Sequence, residues 1–363
     1  MNSIWGQNFT VSLFGESHGP KIGVVIGGVK PGLSIDLEKI QAFLNRRKAG
    51  GEAWSTKRSE PDTFSIISGL FNGHTTGTPL CALCDNTDTR SEDYSPRCNR
   101  PGHADFTGSV RYGGFNDYRG GGHFSGRLTA PLVFAGAVAA QILEKKGIYA
   151  ASHILRIADI KDHRFDNAII TKEQADEMKS MRFPLIDETK KVYMEQKILA
   201  ALEAGDSVGG IVECAIFGLP TGVGNPFFGS VESVLSSILF SIPAVKGVSF
   251  GAGFRFAQMR GSEANDAYDT DGSSIVTTTN NNGGILGGIT SGMPVVFQTV
   301  VKPTPSISMS QKTVNLETLK PETIAIKGRH DPCIVPRAVA AIEAAACIGI
   351  LDLMMERGIY HGI

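Results

Sequence analysis

Short apolar segments rich in β-branched and aromatic residues recur along the chain and predict strands. They lie at residues 9–14, 22–29, 64–70, 208–217, 246–256 and 295–301. Helices with start and stop signals are predicted between them, at residues 36–48, 172–181 and 188–204. The second opens with Thr171 and Gln174 at capping-box spacing, and the third lies between Asp187 as N-cap and Gly205 just past its end. This mixture of elements indicates an α+β fold.

Two further segments, 131–146 and 336–357, are apolar nearly all round over much of their length. A helix with this pattern is buried on more than one side. We therefore expect two helices packed between other layers of structure. No fixed-period repeat or low-complexity linker divides the chain, so we expect one domain spanning residues 1–363.

The composition is that of an ordinary globular protein, with 42% hydrophobic and 20% charged residues among 363. A formal net charge of -1 gives no basic surface for nucleic acid or an anionic membrane, and both are excluded as main partners. The most apolar segment, 334–355, contains Arg337, Glu343 and Asp352 and does not predict a membrane span. The N-terminus lacks the pattern of a secretory signal, so a cytoplasmic enzyme is expected.

The cysteines do not form a disulfide framework and fit a reducing compartment. Cys81 and Cys84 make a single C-x-x-C within an apolar stretch. Because no second pair stands at zinc spacing, we predict that both are small buried hydrophobic residues, and we expect no metal site.

Three short glycine-bounded segments each place a histidine beside a carboxylate: GESHG at 15–19, RPGHAD at 100–105 and GRHDPC at 328–333. Histidine has an ordinary pKa near neutrality and is suited to proton transfer. One such segment alone is typical of a polar turn. The three together hold three of the 8 histidines in the chain, which favours one shared catalytic site.

Arginines accompany these segments and two glycine-rich segments, 113–127 and 280–292; they are Arg100, Arg111, Arg119, Arg127 and Arg329. Guanidinium groups bind phosphate and carboxylate through paired hydrogen bonds, and glycine allows the backbone to approach a ligand closely. A small polyanionic substrate is predicted. A separate basic group around Arg46 and Arg47 is typical of a solvated helix end.

Other catalytic patterns fit less well. GESHG matches G-x-S-x-G, the nucleophile elbow of α/β-hydrolases, with Ser17 as nucleophile, but the residues after it predict a strand where the elbow requires a helix. No G-x-x-x-x-G-K-[ST] pattern occurs, which excludes a P-loop. The GGILGG run lacks the spacing of a dinucleotide fingerprint, which disfavours a Rossmann domain.

Eight motifs occur in a characteristic order: GESHG, EPDTFSIISGLFNGHTTGTPL, NTDTRSEDY, RPGHADFTG, YRGGG, NNNGGILGGITSG, KPTPS and GRHDPC. Together they resemble the chorismate synthase family, from about residue 5 to beyond residue 340. The resemblance implies a lyase that forms chorismate by anti-1,4-elimination of phosphate from 5-enolpyruvylshikimate 3-phosphate. The family requires reduced FMN although the reaction has no net redox change.

The resemblance also implies a β-α-β sandwich with helices enclosed by antiparallel sheets, and a homotetramer. No segment is left for an NAD(P)H-dependent flavin reductase, so the monofunctional type is expected, with FMN reduced by an external reductase or reductant. Two alternatives remain open. One is a serine hydrolase that uses Ser17, and the other is a non-catalytic protein that binds FMN or anions.

Catalytic roles are carried over by motif. His18 would protonate or stabilise the departing phosphate, and His103 would act near the flavin N1 region and keep the reduced cofactor in its reactive protonation state. Asp331 would be the base that takes the ring proton, relayed through flavin N5. Ser17 and Ser125 match serines that support this network.

The resemblance also assigns binding residues. The flavin would contact His123, Phe124, Ser125, Ala244, Gly287, Lys302, Pro303, Thr304, Pro305, Ser306 and Arg329. The substrate anions would contact Arg47, Arg100, Arg127 and Arg329.

The sequence departs from the commonest family pattern in three places. His123 and Phe124 stand where an arginine and a serine are common, which changes the expected flavin contact. Ala53 occupies the position of a second anion-binding arginine, with Lys57 or Arg58 as candidates to replace it. Pro243 replaces a common asparagine and removes any side-chain contact from that position.

Overall fold

The computed structural model describes residues 3–52, 54–55, 60–89, 99–166, 168–326 and 331–358. A first antiparallel sheet is formed by strands near the N-terminus. Its strands are, in spatial order, β1 (Ile4–Trp5), β2 (Thr10–Gly15), β3 (Lys21–Gly27), β7 (Leu80–Asp85) and β4 (Phe64–Ser68).

A second antiparallel sheet is built from later segments of the chain. Its strands are, in spatial order, β11 (Val245–Phe250), β16 (Val295–Val301), β10 (Gly210–Phe217), β8 (Tyr149–Ile157) and β9 (Ile160–Lys161). The residues of β10 from Val212 to Phe217 are all buried, as expected for a central strand covered on both faces.

Two apolar helices lie between the sheets: α3 (Thr129–Glu144) contacts β2, β3 and β7 of the first sheet, and α8 (Val335–Glu356) contacts β8, β10 and β16 of the second. The helices pack closely where Gly136 meets Ala344, since a Cβ at Gly136 would lie 2.3 Å from the Ala344 Cβ. This arrangement confirms the predicted α+β sandwich with helices enclosed by antiparallel sheets.

Segments 126–144 and 335–356 are long and apolar enough to cross a membrane, but 89% of each apolar window is buried inside the protein. They are core helices that fill the space between two sheets. Their all-round apolar character therefore reflects burial on several sides.

Further helices surround this centre. They are α1 (Leu37–Arg47), α2 (Asp105–Arg111), α4 (Lys172–Ser180), α5 (Lys191–Glu203), α6 (Val231–Leu239) and α7 (Gly261–Ala264). Short strands pair outside the two sheets: β5 (Leu70–Phe71) with β6 (His74–Thr75), β12 (Tyr268–Thr270) with β13 (Ile275–Thr277), β14 (Ile285–Leu286) with β15 (Ile289–Thr290), and β17 (Gln311–Val314) with β18 (Pro321–Ile324).

Most predicted elements occur close to their expected bounds, including the Thr171–Gln174 capping box of α4 and the Asp187 cap before α5. The predicted strand 246–256 is too long. It ends at Phe250 because Gly251 and Gly253, both at positive φ, turn the chain into a 3₁₀ helix.

The C-x-x-C pair lies in β7, which the sequence did not predict as a strand. Cys84 is buried as expected, whereas Cys81 is only half-buried. Strand β8 and helices α2 and α6 were also not predicted.

Candidate active site

A cavity of about 1060 Å³ opens between the end of α1, the glycine-rich segment after α2, the loop after β16 and the start of α8. These elements come from distant parts of the sequence, and the fold brings most of the predicted site residues together around this space. Those that line it are Arg47, Arg100, His103, His123, Phe124, Ser125, Arg127, Ala244, Lys302, Thr304, Pro305, Ser306 and Asp331.

Ser17 and His18 lie just behind the cavity wall, on the hairpin between β2 and β3. A Cβ at Gly120 would lie 2.5 Å from His18 Nε2 and 2.9 Å from Ser17 Oγ. Gly120 has a positive φ of 61°, the next two residues, Gly121 and Gly122, also have positive φ, and Gly120 lines the cavity itself. The absence of a side chain there therefore lets the backbone pass directly over the His18 ring.

Two other predicted residues are placed differently. Gly287, in the turn between β14 and β15, and Pro303 do not line the cavity. Arg329 lies outside the described residues, as do Ala53, Lys57, Arg58 and His330.

His103 lies on the other side of the same glycine segment and is fixed by a carboxylate. Its Nδ1 is 2.6 Å from Asp105 Oδ1, and its Cε1 would be 3.0 Å from a Cβ at Gly121. Arg100 donates two hydrogen bonds of 2.7 Å to the same carboxylate and one of 3.2 Å to Ser306 Oγ. Burial raises the pKa of Asp105, but the hydrogen bonds from Arg100 and His103 lower it well below its ordinary value. Asp105 therefore remains a carboxylate anion, and this anion holds His103 in place.

Arg47 and Arg127 are held by one carboxylate beside the cavity. Asp62, fully buried, accepts a hydrogen bond of 2.6 Å from Arg47 Nη2 and another from Arg127 Nη1. Arg127 Nε also donates to Asn86 Oδ1 at 2.9 Å. Burial raises the pKa of Asp62, but the two guanidinium groups bring it below its ordinary value. The two arginines are therefore positioned before any ligand arrives.

In this cluster the positive charge of Arg47 is only partly balanced by negative charge. Burial, together with the charges of Arg337 and Arg127, lowers its pKa, and the contact with Asp62 offsets this only in part. A further anion in the cavity would stabilise the charged guanidinium, which is the behaviour expected of an anion-binding residue.

The prediction of a solvated helix end around Arg46 and Arg47 is wrong, because both side chains are largely buried. Arg46 forms two parallel hydrogen bonds with Glu343 of α8, at 2.9 and 2.7 Å, while Arg47 faces the cavity. These buried charges are balanced by ion pairs with residues distant in sequence, and no local sequence pattern indicates such pairs.

His123 and Phe124, which depart from the common family pattern, are both firmly packed. His123 Nδ1 donates to the Gly15 carbonyl at 2.8 Å, and its Nε2 is 2.8 Å from Ser3 Oγ. The Phe124 ring packs against α2, where a Cβ at Gly108 would lie 2.6 Å from it. His123 therefore ties the glycine segment to the end of β2, which leads into GESHG.

The cavity offers polar groups that suit a flavin. Thr304 Oγ1 is buried and has no hydrogen-bond partner among the described residues, and Thr304 lines the cavity beside Pro305 and Ser306. A buried hydroxyl without a partner costs free energy that a bound group can recover. Lys302 is also there, with its Nζ 2.8 Å from the Gly102 carbonyl.

Sequence reasoning missed three residues of this site: Asp62, Asp105 and Arg337. Asp105 was visible as the carboxylate of RPGHAD but received no role. Arg337 Nη1 donates to Asp331 Oδ2 at 2.6 Å from the first turn of α8. Asp62 gave no signal, because its partners lie 15 and 65 residues away.

The surroundings of Ser17 do not match a hydrolase elbow. Ser17 is fully buried and is followed by strand β3, and its backbone N–H donates to the Gly122 carbonyl at 3.0 Å. A nucleophile elbow exposes its serine between a strand and a helix. The serine hydrolase alternative is therefore not favoured.

Comparisons with known proteins identify the family of this chain. The chorismate synthase family model matches residues 9–355. The chorismate synthase of Dehalococcoides mccartyi is 46% identical over 99% of this chain and 98% of its own length. That of Thermococcus kodakarensis is 43% identical over 99% of both chains. A crystal structure of chorismate synthase superposes with a TM-score of 0.77 at 25% identity, covering 97% of this chain and 93% of the other. The chain therefore belongs to the chorismate synthase family.

Proposed function

We propose that the cavity binds reduced FMN and 5-enolpyruvylshikimate 3-phosphate together. As a member of its family, the protein is a carbon–oxygen lyase of aromatic amino acid biosynthesis that forms chorismate by anti-1,4-elimination of phosphate. The observation that carries the assignment of the site is the convergence of Arg47, Arg100, Arg127 and Asp331 on one cavity of about 1060 Å³. A flavin and a small phosphorylated acid that are bound together require a cavity of this size.

Residues of the loop after β16 are proposed to hold the flavin, together with Ala244, whose carbonyl accepts from the Lys302 backbone N–H at 2.9 Å, and with Ser125. Lys302 supplies a cation, and Thr304 and Ser306 supply hydroxyl groups, of which that of Thr304 has no partner in the described structure. When bound, reduced FMN supplies electron density to the substrate as phosphate departs. Arg329 and Gly287 remain proposed contacts by family likeness alone.

The arginines are proposed to bind the phosphate and two carboxylates of the substrate. Arg47 and Arg127 each donate hydrogen bonds from part of the guanidinium group to Asp62. Arg100 likewise donates from part of its guanidinium group to Asp105. All three guanidinium groups line the cavity, where their positive charges attract an anion. Because the carboxylates fix these groups in advance, substrate binding loses less side-chain entropy.

His18 is proposed to donate a proton or hydrogen bond to the departing phosphate across the Gly120 backbone, with Ser17 beside it. His103, held by Asp105, is proposed to keep the reduced cofactor in its reactive protonation state. Asp331 lines the cavity and is proposed to accept the ring proton. The C–O bond to phosphate and the ring C–H bond both break, and the electron pair of the C–H bond remains in the diene of chorismate.

The direct test is to mix the protein anaerobically with reduced FMN and 5-enolpyruvylshikimate 3-phosphate. Chorismate absorbance and phosphate release should rise together, and oxidised FMN should not support turnover. Tight flavin binding without product would indicate a non-catalytic binding protein. Covalent labelling of Ser17 by a fluorophosphonate would support the hydrolase.

Two variants test the assigned roles. Asp331→Asn should lose most turnover while substrate binding survives, and lost binding in a folded protein would make Asp331 structural. His18→Ala should slow phosphate release much more than it weakens FMN binding. Equal effects on both would contradict its role beside the phosphate.

We also propose that the enzyme is a single-domain, cytoplasmic homotetramer that receives reduced FMN from an external reductase or reductant. One large hydrophobic core unites residues of both sheets and the enclosed helices, which supports a single domain. Phe227, Phe228 and Phe254 are 84%, 95% and 91% exposed, which suits burial between subunits. Light scattering of the purified protein measures the subunit number.

A further inference from the structure

Arg337 makes contacts that join the proposed base to the anion-binding helix. Its Nη1 donates to Asp331 Oδ2 at 2.6 Å, and its Nε donates to the Arg47 backbone carbonyl at 3.0 Å. All three residues line the cavity. A single planar guanidinium thus contacts both the proposed base and the C-terminal end of α1.

The position of Arg337 in the fold makes these contacts rigid. It lies in the first turn of α8, directly after Pro336, and most residues of α8 are buried. Asp331 lies before that helix, in a segment without regular structure. The arginine is therefore the better anchored partner, and the carboxylate takes its position from it.

We propose that Arg337 is a positioning residue for Asp331: it holds the carboxylate at a fixed distance from Arg47 and so from the bound substrate. This inference rests on the proposed role of Asp331 as base. A proton acceptor must be within hydrogen-bond reach of the proton that it removes, and a misplacement of about 1 Å costs about 10²-fold in rate. Lysine cannot replace Arg337, because a single ammonium lacks the planar fork that meets both partners.

The test compares Arg337→Met with the wild-type enzyme at saturating reduced FMN. We expect kcat to fall about 10²-fold, while KM for 5-enolpyruvylshikimate 3-phosphate changes less than about threefold. Substrate with deuterium in place of the departing ring proton should show a larger isotope effect on kcat than in the wild type, because proton removal becomes more rate-limiting. Arg337→Lys should recover only part of the loss.

Arg182→Met is a matched control for the structural contact alone. Arg182 also donates to backbone carbonyls at the end of α1, those of Asn45 and Lys48, but it does not line the cavity. We expect Arg182→Met to leave kcat and the isotope effect unchanged. The same loss in Arg182→Met and Arg337→Met would show that only the support of α1 matters, and would overturn the proposal.

A double variant separates this inference from the assignment of the base. If Arg337 acts through Asp331, Arg337→Met should lower kcat no further in an Asp331→Asn background. A further loss of about 10²-fold there would overturn the inference while leaving the role of Asp331 intact. A rise in KM at unchanged kcat in Arg337→Met would instead make Arg337 a substrate-binding group. Full turnover by Asp331→Asn would reject the base itself.

Discussion

Arg46 and Arg47 are consecutive residues that end α1 and make ion pairs with different parts of the protein. Arg46 pairs with Glu343 inside the core, and Arg47 pairs with Asp62 beside the cavity. The core pair connects α1 to α8, so it also fixes where the next side chain enters the active site. One dipeptide therefore combines an anchor and a ligand-binding group.

Because Arg46 and Arg47 have different partners, replacing each of them by lysine should have different effects. Arg46→Lys should lower the free energy of unfolding by about 1.5–3 kcal/mol, because lysine loses one of two hydrogen bonds to a buried carboxylate. Its KM should change little. Arg47→Lys should raise KM for the substrate about tenfold. Urea unfolding and steady-state kinetics on both variants measure this, and an equal rise in KM for Arg46→Lys would contradict the division.

Gly120→Ala should reduce turnover about 10²-fold, because the new methyl group displaces the His18 ring, which would lie only 2.5 Å from it. Gly114→Ala is the matched control. Gly114 also has a positive φ, of 82°, but a Cβ there meets no atom within 4 Å. Both variants should lose roughly 1–2 kcal/mol of stability from backbone strain. Only Gly120→Ala should lose activity, as measured by chorismate formation.

Asp105→Asn should reduce kcat about 10²-fold, because the anion that orients His103 and accepts two side-chain hydrogen bonds from Arg100 is lost. Asp266→Asn is a suitable control. Asp266 also accepts several hydrogen bonds, from Thr279, Asn281 and Asn282, but neither it nor these partners line the cavity. Similar losses of kcat in both variants would show that the effect is one of general stability.

The fully buried His153 predicts a pH dependence of stability. It lies between two carboxylates, with Nδ1 3.3 Å from Asp162 and Nε2 3.1 Å from Glu213. Burial lowers the pKa of His153, but contacts with Asp162 and Glu213 raise it above the ordinary 6.5. Burial raises the pKa of Glu213, but His153 and Arg164 bring it below the ordinary 4.5.

The imidazolium therefore contributes stability that is complete below pH 6.5 and is lost as pH rises through its raised pKa. The Glu213 carboxylate contributes stability that is complete above pH 4.5 and is lost as pH falls. The difference in unfolding free energy between the wild type and His153→Gln should be greatest between these two values. Urea unfolding across this range measures it, and a difference that grows above pH 6.5 would reject a charged His153.

The sequence predicted those parts of the fold that depend on local patterns. Short runs of β-branched and aromatic residues predicted β2 and β3, and all-round apolar character predicted that α3 and α8 are enclosed. Strand β8 was missed because Ser152 and the buried His153 interrupt its apolar run. The partners that make this burial possible, Asp162 and Glu213, belong to other segments, and no local pattern shows them.

The same distinction between local patterns and contacts of distant segments holds in the active site. His103 and its arginine lie within six residues of Asp105, so the motif shows that they belong together. Arg46 and Glu343 are 297 residues apart, and the pairing of Asp62 with Arg127 spans 65. The resemblance named Arg47, Arg100 and Arg127, which line the cavity, but only the fold shows which carboxylates hold them there.

The spacing of the site along the chain has a consequence for how the enzyme is made. The cavity needs Arg47 near the start of the sequence and both Asp331 and Arg337 near α8, which also fills the space between the sheets. During synthesis, neither the catalytic centre nor the sandwich interior is complete until α8 leaves the ribosome. Contacts of such long sequence separation make folding slow. Before that moment the nascent sheets expose apolar faces, so this enzyme should depend on chaperones more than its modest size suggests.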